Sequence, residues 1–299
     1  MRSKRSKKIF GRFAAWFLRH VQKRLLKKPY LRALASGERM GRLIWRFAKR
    51  RRQTAVSNLT MAFPEMSQNE AEAITKRVFE NFARSTVDFL IGLNRTLEEL
   101  ESTTTIEGFE NFEKAHAKGK GVILVTAHFG NWERSSMWVA HRGYKLSVVA
   151  RDMDDEGVNA MINDLREKPG LEVIPRGKAA RLMIKRLKKN ELIGIIPDQN
   201  SNEIYIPFFG KPAGTVLGPG VIAERTGAAV VPSFCHYIGD GKYHIKVYPE
   251  LTAEPGYETK GEGMMRAIGK QLEIVISERP DQWLWIHDRW RNARRKGLI

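Results

Sequence analysis

The chain has 299 residues, a net charge of +19 and one cysteine, Cys235. A single cysteine excludes an internal disulfide and a cysteine-rich metal site, and it fits a reducing compartment. The charge lies at the two ends: residues 1–52 hold 19 Lys/Arg and one acid, and residues 286–299 hold five Lys/Arg and one acid. The remaining 233 residues carry 28 bases and 31 acids, a net −3. A nearly neutral body argues against a nucleic-acid groove, whereas the basic ends indicate attraction to a polyanionic surface.

Residues 1–52 are predicted to form a basic amphipathic arm that binds a membrane. Apolar side chains recur every four residues along one stripe, and most of the basic side chains fall outside it. The stripe consists of Ile9, Phe13, Phe17, Val21 and Leu25. This pattern is typical of a helix that lies in the interface of an anionic bilayer. The alternative is an ordinary surface helix that packs on the body through the same stripe.

No apolar run of the sequence reaches the roughly 18–20 residues that span a bilayer. The basic start also lacks the apolar core and cleavage site of a signal peptide. We therefore expect a peripheral or monotopic protein at the cytoplasmic face of the inner membrane, with the anionic lipid surface as a partner.

Residues 53–299 are predicted to form a single α/β domain. Two helices come first, separated at Pro64, and Ser67 with Glu70 forms a capping box for the second. From Gly119, short apolar runs alternate with helical segments, which predicts βαβ units and a largely parallel sheet flanked by helices. The predicted strands are 122–127, 145–150, 171–174, 192–196, 228–234 and 243–248, and the helices that follow Gly119 are 131–142, 156–167, 178–190 and 263–278.

The most informative site pattern is a histidine at the end of a predicted strand. His128 follows the run 122–127, and Glu133 comes five residues later, in the first turn of a predicted helix. Ligands bind at the carboxyl ends of the strands in open α/β sheets. A carboxylate that accepts from one ring nitrogen leaves the other free to take a proton from a substrate hydroxyl. The alternative is a structural histidine bonded to a neighbouring loop. The motifs G-x-S-x-G, H-E-x-x-H, G-x-G-x-x-G and the P-loop are absent, which argues against the enzyme classes that carry them.

The segment HFGNWE resembles the H-x4-D/E motif of the lysophospholipid acyltransferase superfamily, in the glutamate form of bacterial lipid A biosynthesis acyltransferases. Four further segments resemble blocks of that family in the same order: RRRQTAVSNLTMAFPEMS, VVARDMDD, IIPDQN with IPFFGKPAGT, and PDQWLWIHDRWR. The resemblance covers roughly residues 35–295. It implies a glycerolipid acyltransferase-like αβα fold and transfer of a fatty acyl chain to a hydroxyl of a lipid A precursor or related glycolipid.

The resemblance also implies the chemistry. His128 would be the general base and Glu133 its orienting acid, with no metal or bound cofactor. The acyl donor would be a thioester of acyl carrier protein or coenzyme A. Backbone amides near Gly130 and at the N-terminus of the following helix are candidates for stabilising the oxyanion.

Five further positions are assigned to substrate binding. Arg151 matches the arginine of the second block, and a guanidinium can hold an acceptor phosphate at two points. Arg176 is a weaker candidate for the same task, and Asp198 is expected to organise Arg151 or a substrate hydroxyl. Phe208 and Phe209 could line an acyl-chain groove, with core packing as the alternative.

The N-terminal helix is shorter and more basic than the long apolar helix usual in the family, which argues against anchoring by a membrane span. The family also acylates mannosylated inositol lipids, so its motifs do not name the acceptor. A lysophospholipid or inositol mannoside therefore remains an alternative acceptor. A thioesterase and a non-catalytic basic membrane- or nucleic-acid-binding protein are the other readings, although nucleic acid is not an expected partner.

We predict that Arg151→Lys keeps the fold and weakens use of the acceptor more than use of the donor, because an ammonium cannot reproduce a planar two-point grip on phosphate. The measurement compares acyl transfer with donor hydrolysis in the absence of acceptor. An equal loss of both would contradict the assignment.

Overall fold

The computed structural model describes residues 4–92, 95–150, 155–175, 177 and 179–299, with the backbone alone for residues 4–14. These residues form a mixed α/β fold with a mostly parallel central sheet, as the sequence predicted. The helices are α1 (Lys4–Leu26), α2 (Tyr30–Phe47), α3 (Lys49–Ala62), α4 (Gln68–Gly92), α5 (Leu97–Glu101), α6 (Phe109–His116), α7 (Trp132–His141), α8 (Glu156–Glu167), α9 (Ala179–Leu187), α10 (Gly218–Thr226), α11 (Glu262–Glu278) and α12 (Arg291–Arg295). The strands are β1 (Thr104–Glu107), β2 (Val122–Val125), β3 (Leu146–Ala150), β4 (Glu172–Pro175), β5 (Leu192–Ile195), β6 (Ile204–Phe208), β7 (Lys211–Thr215), β8 (Ala229–Gly239) and β9 (Lys242–Val247).

The central sheet has seven strands in the order β1-β9-β8-β2-β5-β3-β4. The five strands from β8 to β4 are parallel, and the antiparallel β8–β9 pairing reverses the direction for β9 and β1. At the centre of the sheet, β2 and β5 are buried and rich in Val, Ile and Leu, as expected of strands covered on both faces. Their carboxyl ends open onto one edge, where the sequence placed His128.

All six strands predicted from apolar runs are present, but three others were not predicted. β1 reads TTIE and lacks an apolar run. β6 and β7 form a separate antiparallel hairpin in which Pro207 faces Pro212. Proline cannot donate to a ladder and so lowers the strand signal of a segment. These three strands were not predicted because their local sequence has little strand character and they form through pairing with other strands.

The predicted capping box begins α4. The Ser67 amide donates to a Glu70 carboxylate oxygen at 2.9 Å, and the Glu70 amide donates to the Ser67 hydroxyl oxygen at 3.3 Å. Two of the four amides that a helix start leaves without partners are satisfied in this way. The local sequence signal therefore located this helix start correctly.

The N-terminal helices differ from a detached arm. In α1, Leu25 is buried, and Leu18 and Val21 pack against a cluster formed with α4 and α8. Part of the predicted stripe is thus used for packing on the body, although Phe17 is exposed. The predicted boundary after residue 52 falls inside α3, so residues 30–52 are continuous with the packed fold. Over the described residues, no helix is long and apolar enough to cross a bilayer.

Close packing of α2 on α4 depends on two glycines. A Cβ at Gly37 would lie 2.9 Å from the backbone oxygen of Ala83, and one at Gly41 would lie 2.4 Å from that of Phe79. Both positions face α4 because they are four residues apart on one side of α2. Any larger side chain would push the two helices apart.

We predict that Gly41→Ala lowers the free energy of unfolding. Overpacking typically costs ~1–3 kcal/mol, which exceeds the helix-propensity gain of ~1 kcal/mol, and the crowded atoms belong to the backbone and cannot rotate away. Chemical denaturation measures the effect. Gly218→Ala is the matched control, because a Cβ at this helical glycine would meet no atom within 4 Å. Equal stability of the two variants would contradict the packing argument.

Candidate active site

His128 and Asp198 meet at the carboxyl edge of the sheet. In the β2–β5 pairing, Val125 lies opposite Ile195. His128 and Asp198 each come three residues after that pair, on adjacent parallel strands. Their side chains join through the ring Nδ1 and the carboxylate Oδ1, which are 2.7 Å apart. Because both residues lie equally far beyond the paired ends of adjacent strands, their side chains meet, and this contact is the centre of the site.

The Asp198 carboxylate is held by three hydrogen bonds. Besides the ring contact, Oδ2 accepts from the His128 backbone amide at 2.8 Å and from Trp283 Nε1 at 2.8 Å. The Asp198 side chain is only 2% exposed. Burial alone would raise its pKa, but His128 and the hydrogen bonds outweigh burial and lower the pKa below its usual value. Asp198 is therefore a fixed carboxylate.

The same contact sets the chemistry of the imidazole. Because Asp198 accepts only from a protonated Nδ1, the neutral ring carries its lone pair on Nε2. Burial alone would lower the pKa of His128, but Asp198, and more weakly Glu133, outweigh burial and raise it. The His128 side chain is 22% exposed. The ring is thus a base with a defined accepting atom and access from outside.

Two further side chains lie close to the His128 ring. Gln199 Nε2 lies 3.4 Å from His128 Nε2, where an amide hydrogen points towards the ring lone pair. The indole of Trp132 meets the imidazole edge to face, with 5.1 Å between centroids. A substrate hydroxyl that approaches Nε2 would take the position now facing the Gln199 amide.

Glu133 differs from its predicted position. Its carboxylate is paired with Arg166 of α8 at 2.5 Å through Oε1, and Arg166 Nε also lies 3.1 Å from Oε2. Trp132 Nε1 donates to the same carboxylate at 3.2 Å. The sequence predicted that Glu133 would orient the ring, but Asp198 occupies Nδ1. The reason is geometric, because the adjacent strand end brings Asp198 directly to the ring, whereas Glu133 turns towards α8.

Gly130 also has a different role from the predicted one. Its amide donates to the Gln282 carbonyl at 2.9 Å, and the next amide, of Asn131, donates to the Cys235 carbonyl at 2.8 Å. Gly130 has a φ of +55°, and a Cβ there would lie 2.0 Å from the Cys235 oxygen. Glycine is therefore required by packing, and its amide is not free for an oxyanion. Among the described residues, the amides of Trp132 and Glu133 in the first turn of α7 have no hydrogen-bond acceptor, so the helix N-terminus remains the predicted candidate.

A C-terminal segment, residues 282–287, encloses the turn 126–131 that carries His128, here called the histidine turn. The Leu284 amide donates to the His128 carbonyl at 3.0 Å. Asn58 of α3 in turn holds this segment, because its Nδ2 donates to the carbonyls of Trp285 and His287 at 2.9 and 2.8 Å. His287 Nε2 accepts from the Asn200 amide at 3.1 Å. Burial lowers the pKa of His287, which keeps this ring neutral and able to accept.

The predicted acyl-groove aromatics are mainly core residues. Phe208 is fully buried and packs near Trp283 and Trp290. Phe209 is half-buried and contacts Trp285, while its amide donates to Glu273 at 2.7 Å. Phe208 is therefore a core residue, which was the alternative to a groove residue. Packing alone accounts for the burial of both phenylalanines.

Arg151 and Arg176 lie outside the described residues, so their predicted phosphate contacts stay predictions. The described strands that precede them in sequence, β3 and β4, end at Ala150 and Pro175, at the sheet edge that carries His128. Within the part of the chain that the structure describes, no group of three or more His, Cys, Asp or Glu side chains is arranged to hold a metal ion.

Residues 1–292 match the family model for bacterial lipid A biosynthesis acyltransferases. The chain belongs to this family. The match includes the histidine turn, the Asp198 loop and the C-terminal segment that encloses them.

Proteins similar to this chain differ in their named acceptors. The phosphatidylinositol mannoside acyltransferase of Mycobacterium tuberculosis (strain CDC 1551 / Oshkosh) is 28% identical over 191 residues, which cover 62% of this chain and 59% of that protein. The chain thus spans less than two thirds of the length of that relative. The lipid A biosynthesis lauroyltransferase of Escherichia coli (strain K12) is 26% identical over 272 residues, 89% of this chain and 88% of that protein. The crystal structure of the 1-acyl-sn-glycerophosphate acyltransferase PlsC from Thermotoga maritima aligns with a TM-score of 0.37 and 17% identity over 81% of this chain and 98% of that one.

Sequence reasoning missed several residues that build this candidate site. The equal offset of His128 and Asp198 from neighbouring strand ends was available as a signal, but strand order was needed to use it. Arg166 gave no signal, because it resembles any basic residue at the end of a helix. Trp283 was not assigned to the site either, and it is buried with its indole N–H donating to Asp198.

We predict that Asp198→Asn lowers the pKa of His128, because the change removes the main group that raises this pKa and leaves the opposing effect of burial. Activity that requires neutral His128 should then persist to lower pH, although with a reduced maximal rate, since an amide can favour the wrong tautomer. An NMR titration of the His128 ring measures the shift. Asp240→Asn, the same change at an exposed turn, is the control. An unchanged or higher pKa in Asp198→Asn would contradict this electrostatic account.

Proposed function

We propose that this protein is a membrane-associated O-acyltransferase that moves a fatty acyl chain from a thioester to a hydroxyl of a lipid A precursor or related glycolipid. The observation that carries the proposal is the His128–Asp198 pair, in which Nε2 is left as the accepting atom on the open side of the ring. Family membership supports acyl transfer. The donor would be a thioester of acyl carrier protein or coenzyme A, and the chemistry needs no metal or bound cofactor.

The proposed reaction is direct attack by the acceptor. The hydroxyl gives its proton to His128 Nε2 as its oxygen bonds to the thioester carbonyl carbon. The resulting oxyanion collapses, the carbon–sulfur bond breaks, and the departing sulfur receives the proton from Nε2. Asp198 holds the ring and stabilises the imidazolium that exists between these two transfers. Atoms and charges balance without a covalent enzyme intermediate.

Glu133 and Arg166 are proposed to support this step from the side of α8. Glu133 raises the pKa of His128 through its negative charge and thus favours the imidazolium, whereas the positive charge of Arg166 lowers this pKa more weakly. The pair with Arg166 fixes the carboxylate near the ring without bonding to it. Arg151 and Arg176, beyond the neighbouring strand ends, remain the proposed phosphate contacts of the acceptor.

The cytoplasmic face of the inner membrane is the proposed location, with the protein bound peripherally or monotopically. Its support is the concentration of positive charge in residues 1–52 and 286–299 and the exposed apolar side chains of the N-terminal helices. A lipid acceptor embedded in the bilayer would be reached from there.

The second candidate acceptor is a phosphatidylinositol mannoside, favoured by the similarity to the mycobacterial relatives. The purified chain should be given an acyl thioester with each acceptor in detergent micelles, and mass spectrometry should detect a product heavier by one acyl chain. Release of free fatty acid without any acylated lipid would instead indicate a thioesterase.

We predict that His128→Ala lowers the acyl transfer rate by roughly 100- to 10,000-fold, the usual contribution of a general base, with little change in thermal midpoint. His141→Ala, a histidine at the end of α7, is the control and should keep the rate. A lower thermal midpoint together with normal activity of the folded fraction would indicate that His128 is a structural residue and not the base.

A further inference from the structure

The outer surface of α2 carries large apolar side chains that no other part of the described structure covers. Met40, Leu43, Ile44 and Phe47 are 42%, 58%, 45% and 75% exposed. Their spacing of three, four and seven residues places them on one side of the helix. We call these four residues the α2 apolar strip. Isolated exposed apolar residues are ordinary, but an aligned group of this size marks a binding surface.

The α2 apolar strip lies between two other strips of the same helix. On one side are the small residues that pack on α4, including Gly37 and Gly41. On the other side are Arg32, Arg39 and Arg46, which are exposed and recur every seven residues. Successive residues of a helix are about 100° apart around its axis. Arg39 therefore lies on the basic side, Met40 on the apolar side and Gly41 on the side that packs on α4. α2 is therefore fixed to the body by one side and presents an apolar and a basic side outwards.

Charge identifies the occupant of this surface. Residues 29–52 contain eight Lys/Arg and a single acid, Glu38. That acid is already paired with Arg84 of α4 at 2.6 Å. Arg32, Arg39 and Arg46 have no carboxylate within ion-pair distance among the described residues. The surface thus offers unneutralised cations beside an apolar strip, which fits anionic headgroups above acyl chains.

A second copy of the chain fits this surface less well. In a twofold contact the same patch meets itself, so the arginine strips flanking the two apolar strips would be brought close together. Like charges at such a contact oppose association.

We propose that α2 is the membrane-docking helix of this protein, and that its apolar strip inserts into the interface of an anionic bilayer. This deepens the proposed function, since it names the surface through which a lipid acceptor is reached. It also shifts the docking surface from the predicted stripe of α1, because α1 uses Leu18, Val21 and Leu25 to pack on the body.

The docking helix is connected to the active site by a short path. α3 begins at Lys49, two residues after the end of the α2 apolar strip, and Asn58 lies roughly 14 Å further along at 1.5 Å per residue. Asn58 holds the segment that encloses His128, and Arg51 Nη1 donates to the Ile286 carbonyl of the same segment at 3.3 Å. Bilayer contact at α2 would therefore be linked to His128 by one rigid helix.

The test uses the full-length double variant Leu43→Glu/Phe47→Glu and sedimentation with vesicles of phosphatidylglycerol and phosphatidylethanolamine. Affinity should fall by about a hundredfold, because two inserting side chains become charged and repel the anionic surface. Ile274→Glu is the matched control, since Ile274 is an exposed apolar residue of α11 with 52% exposure. It should bind these vesicles like the unchanged protein. Circular dichroism and the thermal midpoint check that both variants are folded.

An activity readout separates docking from chemistry. The double variant should lose acyl transfer to an acceptor in vesicles but keep it for the same acceptor dispersed in detergent micelles. Unchanged vesicle binding by the folded double variant would overturn the proposal, as would an unchanged protein that forms a dimer which the variant disrupts. If the unchanged protein binds vesicles through α2 but transfers no acyl chain in micelles, the proposed function fails and the docking surface stands.

Discussion

The buried carboxylate of Asp198 is the constraint on which the site depends. A charge taken out of water is expensive unless it is paired and hydrogen-bonded. Three donors meet this need: the ring and the backbone amide of His128, and the indole of Trp283. These donors come from two distant parts of the chain, and the acid comes from a third. Satisfying one charge therefore joins the ends of β2 and β5 to the C-terminal segment and fixes the tautomer of the ring at the same time.

A second buried carboxylate supports the site from behind. Asp88 of α4 accepts from Arg134 Nη1 at 2.9 Å, from Asn131 Nδ2 at 2.7 Å and from the Tyr30 hydroxyl at 2.8 Å. Asn131 and Arg134 belong to the start of α7, directly after the histidine turn, and Tyr30 begins α2. Removing one partner of such a pair would leave a buried charge without compensation. Asp88 thus ties the histidine turn to the helix that we propose docks on the membrane.

Asp198 and Asp88 hold one side of the site rigidly, while the other side stays accessible. The atoms that position His128 are buried, whereas Nε2 and the Gln199 amide lie on the open side. A base that is held rigidly on one side and open on the other suits a reaction in which the substrate supplies the nucleophile. Under the proposal, the exposed apolar strip of α2 holds the protein at the bilayer in which a lipid acceptor would reside.

The sequence alone determined the features that rest on local pattern. Apolar runs located the six main strands, the Ser67–Glu70 signature located the start of α4, and strand-end reasoning selected His128. Charge counting located the basic N-terminal region, and the motif order indicated the family. Only the tertiary structure decided which acid meets the ring, because Glu133 is near His128 in the chain while Asp198 is near it across two paired strands. It also decided that Gly130 serves packing, that Val21 and Leu25 of the α1 stripe pack on the body, and that α2 keeps an apolar side outwards. Each of these outcomes depends on contacts between residues far apart in sequence, and residue spacing along one segment carries no information about such contacts.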